Sequence, residues 1–209
     1  DGVTACGATV VNLGLASTDL LYYASGNMDL PGAMFTASHN PAQYNGIKMC
    51  KAGAKSIGID SGLAEVRDLA RVALGTNIVG DPSKVSKRNL LAEFADHVLS
   101  FVDVASLRPL KVVADTANGM GGLVVPAVFE RLNMIELEVM YGELDGTFPN
   151  HPADPIQPAN QRDLQARVIA GGFDVGLAFD GDADRVFLVD ELGRTMSGST
   201  TTAILAKVF

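Results

Sequence analysis

Positive charge is scarce in this chain: 16 Lys and Arg stand against 24 Asp and Glu among 209 residues, a formal net charge of −8 with a pI near 4.8. Nucleic-acid binding calls for a basic stripe, so that class is excluded, and any anionic ligand must be met by a few local cations. Cysteine is nearly absent. Cys6 and Cys50 have no close metal-ligand spacing and read as reduced thiols of a cytoplasmic protein rather than as a disulfide framework. No apolar run reaches the roughly 20 residues that span a bilayer, which argues against a membrane partner. The sequence opens at Asp1 without a charged-then-apolar leader, so no targeting segment is expected. What is plentiful is apolar residues, 47% of the chain, with a mean hydropathy of +0.20. This balance predicts a well-buried α/β protein of one to two domains.

Along the chain, strand-like and helix-like stretches alternate. Strands are expected at Ala8 to Leu13, Ala33 to Thr36 and Gly46 to Met49, with a helix near Asp19 to Ala24. Leu63, Val66, Leu69, Ala70 and Ala73 form an apolar helical stripe, expected to be core. Asp81-Pro82-Ser83 marks a turn and a domain boundary, after which Leu90, Leu91, Phe94, Val98, Phe101 and Val102 recur at helical spacing. A strand at Leu110 to Ala114, a helix through Leu132 and a strand at Glu136 to Met140 make a βαβ unit, which predicts a mixed or parallel sheet covered by helices. The turn Asp115 to Gly122 lacks the glycine-lysine pattern of a nucleotide loop and reads as close helix packing. His151 reads as a loop residue rather than a catalyst. A hairpin-like turn follows at Asp190 to Arg194, and Thr200 to Phe209 starts a helix.

Two segments carry chemistry. In Thr36-Ala37-Ser38-His39-Asn40-Pro41, followed by Tyr44-Asn45-Gly46-Ile47-Lys48, Ser38 is a candidate nucleophile, with His39 and Lys48 as candidate activating groups. Far downstream, Asp180-Gly181-Asp182-Ala183-Asp184-Arg185 follows the apolar run Val175 to Phe179. Alternating carboxylates in a loop at a strand end can converge on one hard cation, and few carboxylates plus phosphate oxygens suit magnesium. An EF-hand loop is opposed by Arg185 at the place of its required glycine and by strand-like rather than helical flanks. Arg185 fits as a forked donor to phosphate oxygens.

Together with Gly142-Glu143-Leu144-Asp145-Gly146-Thr147-Phe148-Pro149-Asn150-His151-Pro152, these motifs closely resemble the signatures of the α-D-phosphohexomutases, the phosphomannomutase and phosphoglucomutase family. The resemblance runs along nearly the whole chain. It implies mixed-sheet α/β domains of the phosphohexomutase type with helices covering the sheets. It implies an isomerase of carbohydrate metabolism, an intramolecular phosphotransferase interconverting hexose 6-phosphate and hexose 1-phosphate through hexose 1,6-bisphosphate, which also serves as activator. Ser38 would be the phosphoserine. Asp180, Asp182 and Asp184 would hold one Mg²⁺ ion, with a phosphate oxygen on Ser38 completing the set. Lys48 would be a general acid or base, His39 would lie in the active site, and Arg185 would sit beside the phosphoryl group or substrate.

The resemblance further divides the chain into residues 1–83 as the C-terminal part of domain 1, 84–194 as domain 2, and 195–209 as the start of domain 3. The family's sugar-recognition loop, distal phosphate site and N-terminal arginine strand are expected to lie outside this sequence, so an internal fragment without turnover is the expectation. Ser197-Gly198-Ser199 departs from the family, where an acidic residue often follows the glycine. Between the sugars the lean is to mannose phosphate; the oligomeric state is not legible. Two alternatives remain. Asp180-Gly181-Asp182 also fits a haloacid-dehalogenase-like phosphatase with Asp180 as nucleophile, and a non-catalytic sugar-phosphate or metal-binding protein could keep the fold without turnover.

Overall fold

The computed structural model describes residues 1–207. In its first part α1 (Gly2–Ala5), β1 (Val10–Asn12), α2 (Thr18–Met28), β2 (Gly32–Phe35), β3 (Ile47–Lys51), β4 (Lys55–Ser56), α3 (Leu63–Ala73) and β5 (Val85–Lys87) follow one another. Then come α4 (Leu91–Leu99), β6 (Leu110–Asp115), α5 (Gly121–Phe129), β7 (Ile135–Met140), α6 (Arg162–Gly171), β8 (Val175–Phe179), β9 (Val186–Asp190) and α7 (Gly198–Leu205). The last two residues of the helix expected at Thr200 to Phe209 lie outside the described residues. No described helix is long and apolar enough to cross a membrane.

The described residues form two compact units, one of residues 1–15, 21–33 and 49–90, the other of residues 16–20, 34–48 and those from 91 onward. The second is organised by a mixed four-stranded sheet in the order β7-β6-β8-β9, parallel except for β9. The chain steps outward from β6 to β7 and then back past β6 to β8. For right-handed crossovers, the rule for parallel connections, two steps in opposite directions put the connecting helices α5 and α6 on opposite faces. Beneath α6, Val113, Leu164, Val168, Phe173, Ala178 and Val189 form a buried cluster. Each large aliphatic side chain there contributes about 1.5–3 kcal/mol. β6 and β8 are neighbours whose chains leave in different directions at their C-terminal ends. Such a switch point opens a crevice in α/β sheets, and the aspartate loop begins there, directly after Phe179.

The first unit pairs β1 with β5 in parallel, Val10 opposite Val85, and β3 with β4 in antiparallel, Cys50 opposite Ser56. Leu21, Ala24 and Ser25 of α2 are buried, as is Cys50; Cys6 is exposed, and both cysteines are free. One expectation fails here. The apolar stripe of α3 is not core: none of the helix is buried, Val66 is 38% exposed and Leu69 62%. Helical spacing of apolar residues specifies an amphipathic helix, but burial also needs a partner surface, and no described element encloses this face. The stripe drawn through Phe101 and Val102 is likewise too long, because α4 ends at Leu99 and both residues are exposed.

Candidate functional site

The site assembles entirely within the second unit. Ser38 sits in a loop whose base is closed by Thr36 N–H donating to Gly46 O at 3.0 Å. Its backbone is left-handed, with φ 55°, an uncommon state for a non-glycine residue that is enriched at functional sites. Ser38 Oγ donates to Asp180 Oδ2 at 3.0 Å and accepts from the Arg185 guanidinium at 2.6 Å. The same guanidinium contacts His39 Nδ1, and its Nε lies 3.0 Å from Asp180 Oδ2.

The aspartate loop is tightly built. Asp180 and Asp182 are buried and Asp184 opens to solvent, and one oxygen from each lies within 4.8 Å of the others. Gly181 has to be glycine, because a Cβ there would stand 2.4 Å from Ser38 O. The serine loop therefore rests backbone-to-backbone on the aspartate loop, which is how residues 142 positions apart come to share a hydrogen bond.

Asp182 Oδ2 collects donors: Lys48 Nζ at 2.7 Å, Thr18 Oγ1 at 2.8 Å and Thr36 Oγ1 at 3.0 Å. Thr18 N–H, opening α2, also donates to Asp182 O at 3.1 Å. Burial would raise the Asp182 pKa, but the Lys48 and threonine hydrogen bonds outweigh it and hold the carboxyl below the usual range. Asp180 goes the other way, raised by burial and by the charge of Asp182. Lys48 also reaches Asp184 Oδ2 at 2.6 Å. Its partial burial works against its charge, yet bonds to two carboxylates raise its pKa overall, so Lys48 is held protonated.

Asp182 Oδ1 is buried with no hydrogen-bond partner. An orphaned carboxylate oxygen is costly unless something cationic meets it. Three converging carboxylates with such an oxygen among them fit a hard divalent ion, and Asp180, Asp182 and Asp184 could hold one.

All seven residues singled out in the sequence, Ser38, His39, Lys48, Asp180, Asp182, Asp184 and Arg185, are joined in this network by hydrogen bonds or ion pairs. Thr18 and Thr36 had no assigned role, and nor did Asp19, whose carboxyl is raised by desolvation and by the charges of Asp184 and Asp182. The one sequence signal was Ser17-Thr18-Asp19, a helix-start composition aimed at nothing visible in the sequence.

Residues 92–193 match the family model for phosphoglucomutase/phosphomannomutase, alpha/beta/alpha domain II, and residues 1–69 match that for domain I. A phosphomannomutase of Salmonella montevideo is 37% identical over 215 residues, covering 100% of this chain and 47% of its own. A phosphomannomutase/phosphoglucomutase of Pseudomonas aeruginosa is 34% identical, over 99% of this chain and 43% of its own. The crystal structure of a phosphoglucomutase/phosphomannomutase family protein from Burkholderia thailandensis superposes with a TM-score of 0.80 at 30% identity, covering 99% of this chain and 45% of that one. The chain thus spans about half the length of the curated relatives it matches.

Proposed function

The chain belongs to the phosphoglucomutase/phosphomannomutase family, and from that premise we propose that it carries the phosphoryl-transfer machinery of a cytoplasmic hexose-phosphate mutase. The observation that supports this most is Ser38 Oγ held between Asp180 Oδ2 at 3.0 Å and the Arg185 guanidinium at 2.6 Å. A hydroxyl so placed can carry a phosphoryl group whose oxygens would meet the Arg185 guanidinium fork.

In this reading Asp180, Asp182 and Asp184 would hold one Mg²⁺, which when bound would supply Lewis-acid stabilisation of phosphoryl oxygens. The phosphoryl group leaves Ser38 Oγ for a hydroxyl of a hexose monophosphate, giving the 1,6-bisphosphate. The bisphosphate turns over in the site and its other phosphoryl group returns to Ser38, so phosphate moves between C6 and C1 with no net loss. The attacking hydroxyl gives up its proton as Ser38 Oγ takes one, and Lys48, bonded to Asp182 and Asp184, is the general acid or base for that exchange. Arg185 steadies the transferring group, and His39, in contact with the guanidinium, orients it. Thr18 and Thr36 fix Asp182. Residues 1–83 and 84–194 act as the first two domains and 195–209 as the opening of a third, with the sugar chosen elsewhere in the full-length protein.

Both Asp180 oxygens are already engaged, Oδ1 by Arg185 N–H at 3.2 Å and Oδ2 by Ser38 and Arg185, which favours Ser38 over Asp180 as the phosphoryl carrier. The test is a coupled assay of the full-length protein with mannose and glucose phosphates and the matching bisphosphates, alongside chemical mapping of the phosphoryl group. Turnover with an acid-stable, hydroxylamine-resistant phosphate on Ser38 is expected. A hydroxylamine-labile phosphate on Asp180 would sink the proposal in favour of the phosphatase, and metal binding without turnover would leave the non-catalytic reading standing.

A further inference from the structure

Beside the aspartate loop lies a second polar cluster that the phosphoryl chemistry does not use. His151 Nε2 stands 2.9 Å from Asp115 Oδ2, and its Nδ1 stands 2.9 Å from the carbonyl oxygen of Pro152. A backbone carbonyl only accepts, so Nδ1 must carry a hydrogen. A carboxylate also only accepts, so Nε2 must carry one too. Both ring nitrogens are then donors, and the ring is an imidazolium paired with a carboxylate that is 1% exposed.

This pair joins the two segments that flank the aspartate loop. On one side, the turn after β6 supports it directly: Met120 N–H donates to Gly181 O at 2.9 Å, and a Cβ on Gly119 would stand 2.5 Å from that oxygen. Asp115 shapes this turn by accepting from Ala117 N–H at 3.0 Å, and Ala117 and Asn118 both adopt positive φ there. On the other side, Phe148 and Ala153 come within 3.4 and 3.5 Å of where a Gly181 Cβ would be. His151 ties the second flank to the first, and Asn150 Nδ2 donating to Asn118 Oδ1 at 2.8 Å is a parallel link.

We propose that His151 is a positioning residue: as a doubly donating imidazolium it locks the Asn150 to Ala153 segment onto the Asp115 to Met120 turn, and so fixes the aspartate loop at Gly181. Its hydrogen bond to Asp115 raises the His151 pKa above the usual 6.5, against the lowering effect of burial. The other groups facing it are Tyr141, whose ring packs edge-on at 5.4 Å, and Asp163, which accepts from Tyr141 Oη at 2.9 Å. A raised folded pKa means that the lock is fully made below the unfolded value of about 6.5 and is lost as pH rises through the folded one. The consequence for metal holding rests on the reading of Asp180 to Asp184 given above; the lock itself does not.

The chain contains 3 histidines, so ¹⁵N NMR can assign the His151 imidazole by comparison with H151Q. The expected result is two protonated ring nitrogens at pH 6.5 and backbone amide shifts of Gly181 and Asp182 that follow the His151 midpoint. H151Q, which keeps a donor toward Asp115 but loses the second, should remove that dependence and weaken Mg²⁺ binding by up to about tenfold, the low end for outer-sphere changes. A bare ring nitrogen at pH 6.5, or Gly181 and Asp182 amides indifferent to His151, would overturn the proposal. If the amides follow His151 while the native chain ignores Mg²⁺ and the full-length protein leaves Ser38 unphosphorylated, the mutase reading fails and the lock survives.

Discussion

The two units differ in the polar side chains they bury. In the second, carboxylates are taken out of solvent, with Asp115, Asp180 and Asp182 at 1%, 0% and 2% exposure, while in the first the apolar face of α3 stands in solvent with Leu69 at 62%. Burying a carboxylate costs several kcal/mol unless it is paired, and exposing a leucine forgoes about 2 kcal/mol. The second unit recovers its cost through a dense set of donors around each buried charge. Among the described residues of the first, the buried polar side chains are the neutral hydroxyls of Thr4 and Ser25, each donating to a backbone oxygen. Positional demand, rather than apolar content, is what separates them.

The largest effect should come from removing the group on which that demand converges. Ser38→Ala in the full-length protein should lower turnover by at least ~10³-fold, the scale for removing a covalent nucleophile, with Mg²⁺ binding retained because the three aspartates remain. Next in size is Gly181→Ala, whose Cβ would meet Ser38 O at 2.4 Å. Overpacking of this kind costs about 1–3 kcal/mol, or roughly 2–4 °C of Tm per kcal/mol for a protein of this size, and it should weaken metal binding at the same time. A Gly181→Ala protein with unchanged Tm and unchanged Mg²⁺ titration would mean that the two loops do not meet as described.

A smaller and more specific effect is expected of Thr18→Val. It removes the 2.8 Å bond to Asp182 Oδ2 from a residue that is 0% exposed, at about 1.5 kcal/mol for a hydrogen bond to a charged group. It should also show in pH. Asp182 is held below the usual 3.8 by Lys48 and the threonines despite burial, so its contribution to stability is present above the unfolded value and lost as pH falls through the folded one. Without Thr18 that window narrows, and the acid transition followed by circular dichroism should move to higher pH. A transition that stays in place would assign the lowering to Lys48 and Thr36.

The sequence was most legible where one short segment carried its own signal. Val175 to Phe179 is apolar and is followed at once by the aspartates, so a strand ending at the site could be read directly, and β8 covers Val175–Phe179. α6 went unread because in Arg162–Gly171 only Leu164 and Val168 are buried, too few apolar positions to show a period. Thr18 and Thr36 were invisible as site residues because a lone hydroxyl has no spacing pattern, and their partner lies 164 and 146 residues away. His151 was read correctly as a loop residue, but its partner Asp115 lies 36 residues upstream. Burial of α3 was over-read for the converse reason: periodicity is local, and a covering surface is not.

That over-reading gives the smallest expected effect and the sharpest contrast between the units. Leu69→Lys keeps a good helix former and places a charge on a side chain that is already 62% exposed. Substitutions at such positions stay within about 0.5 kcal/mol, so thermal unfolding of this chain should move by no more than about 2 °C. Leu164→Lys, at a residue 0% exposed in the α6 cluster, should prevent the second unit from folding, since the charge could neither reach solvent nor find a carboxylate among its apolar neighbours. Were Leu69→Lys to unfold the chain as Leu164→Lys does, the α3 stripe would be covered in solution, and the two units would not differ in the way their exposures indicate.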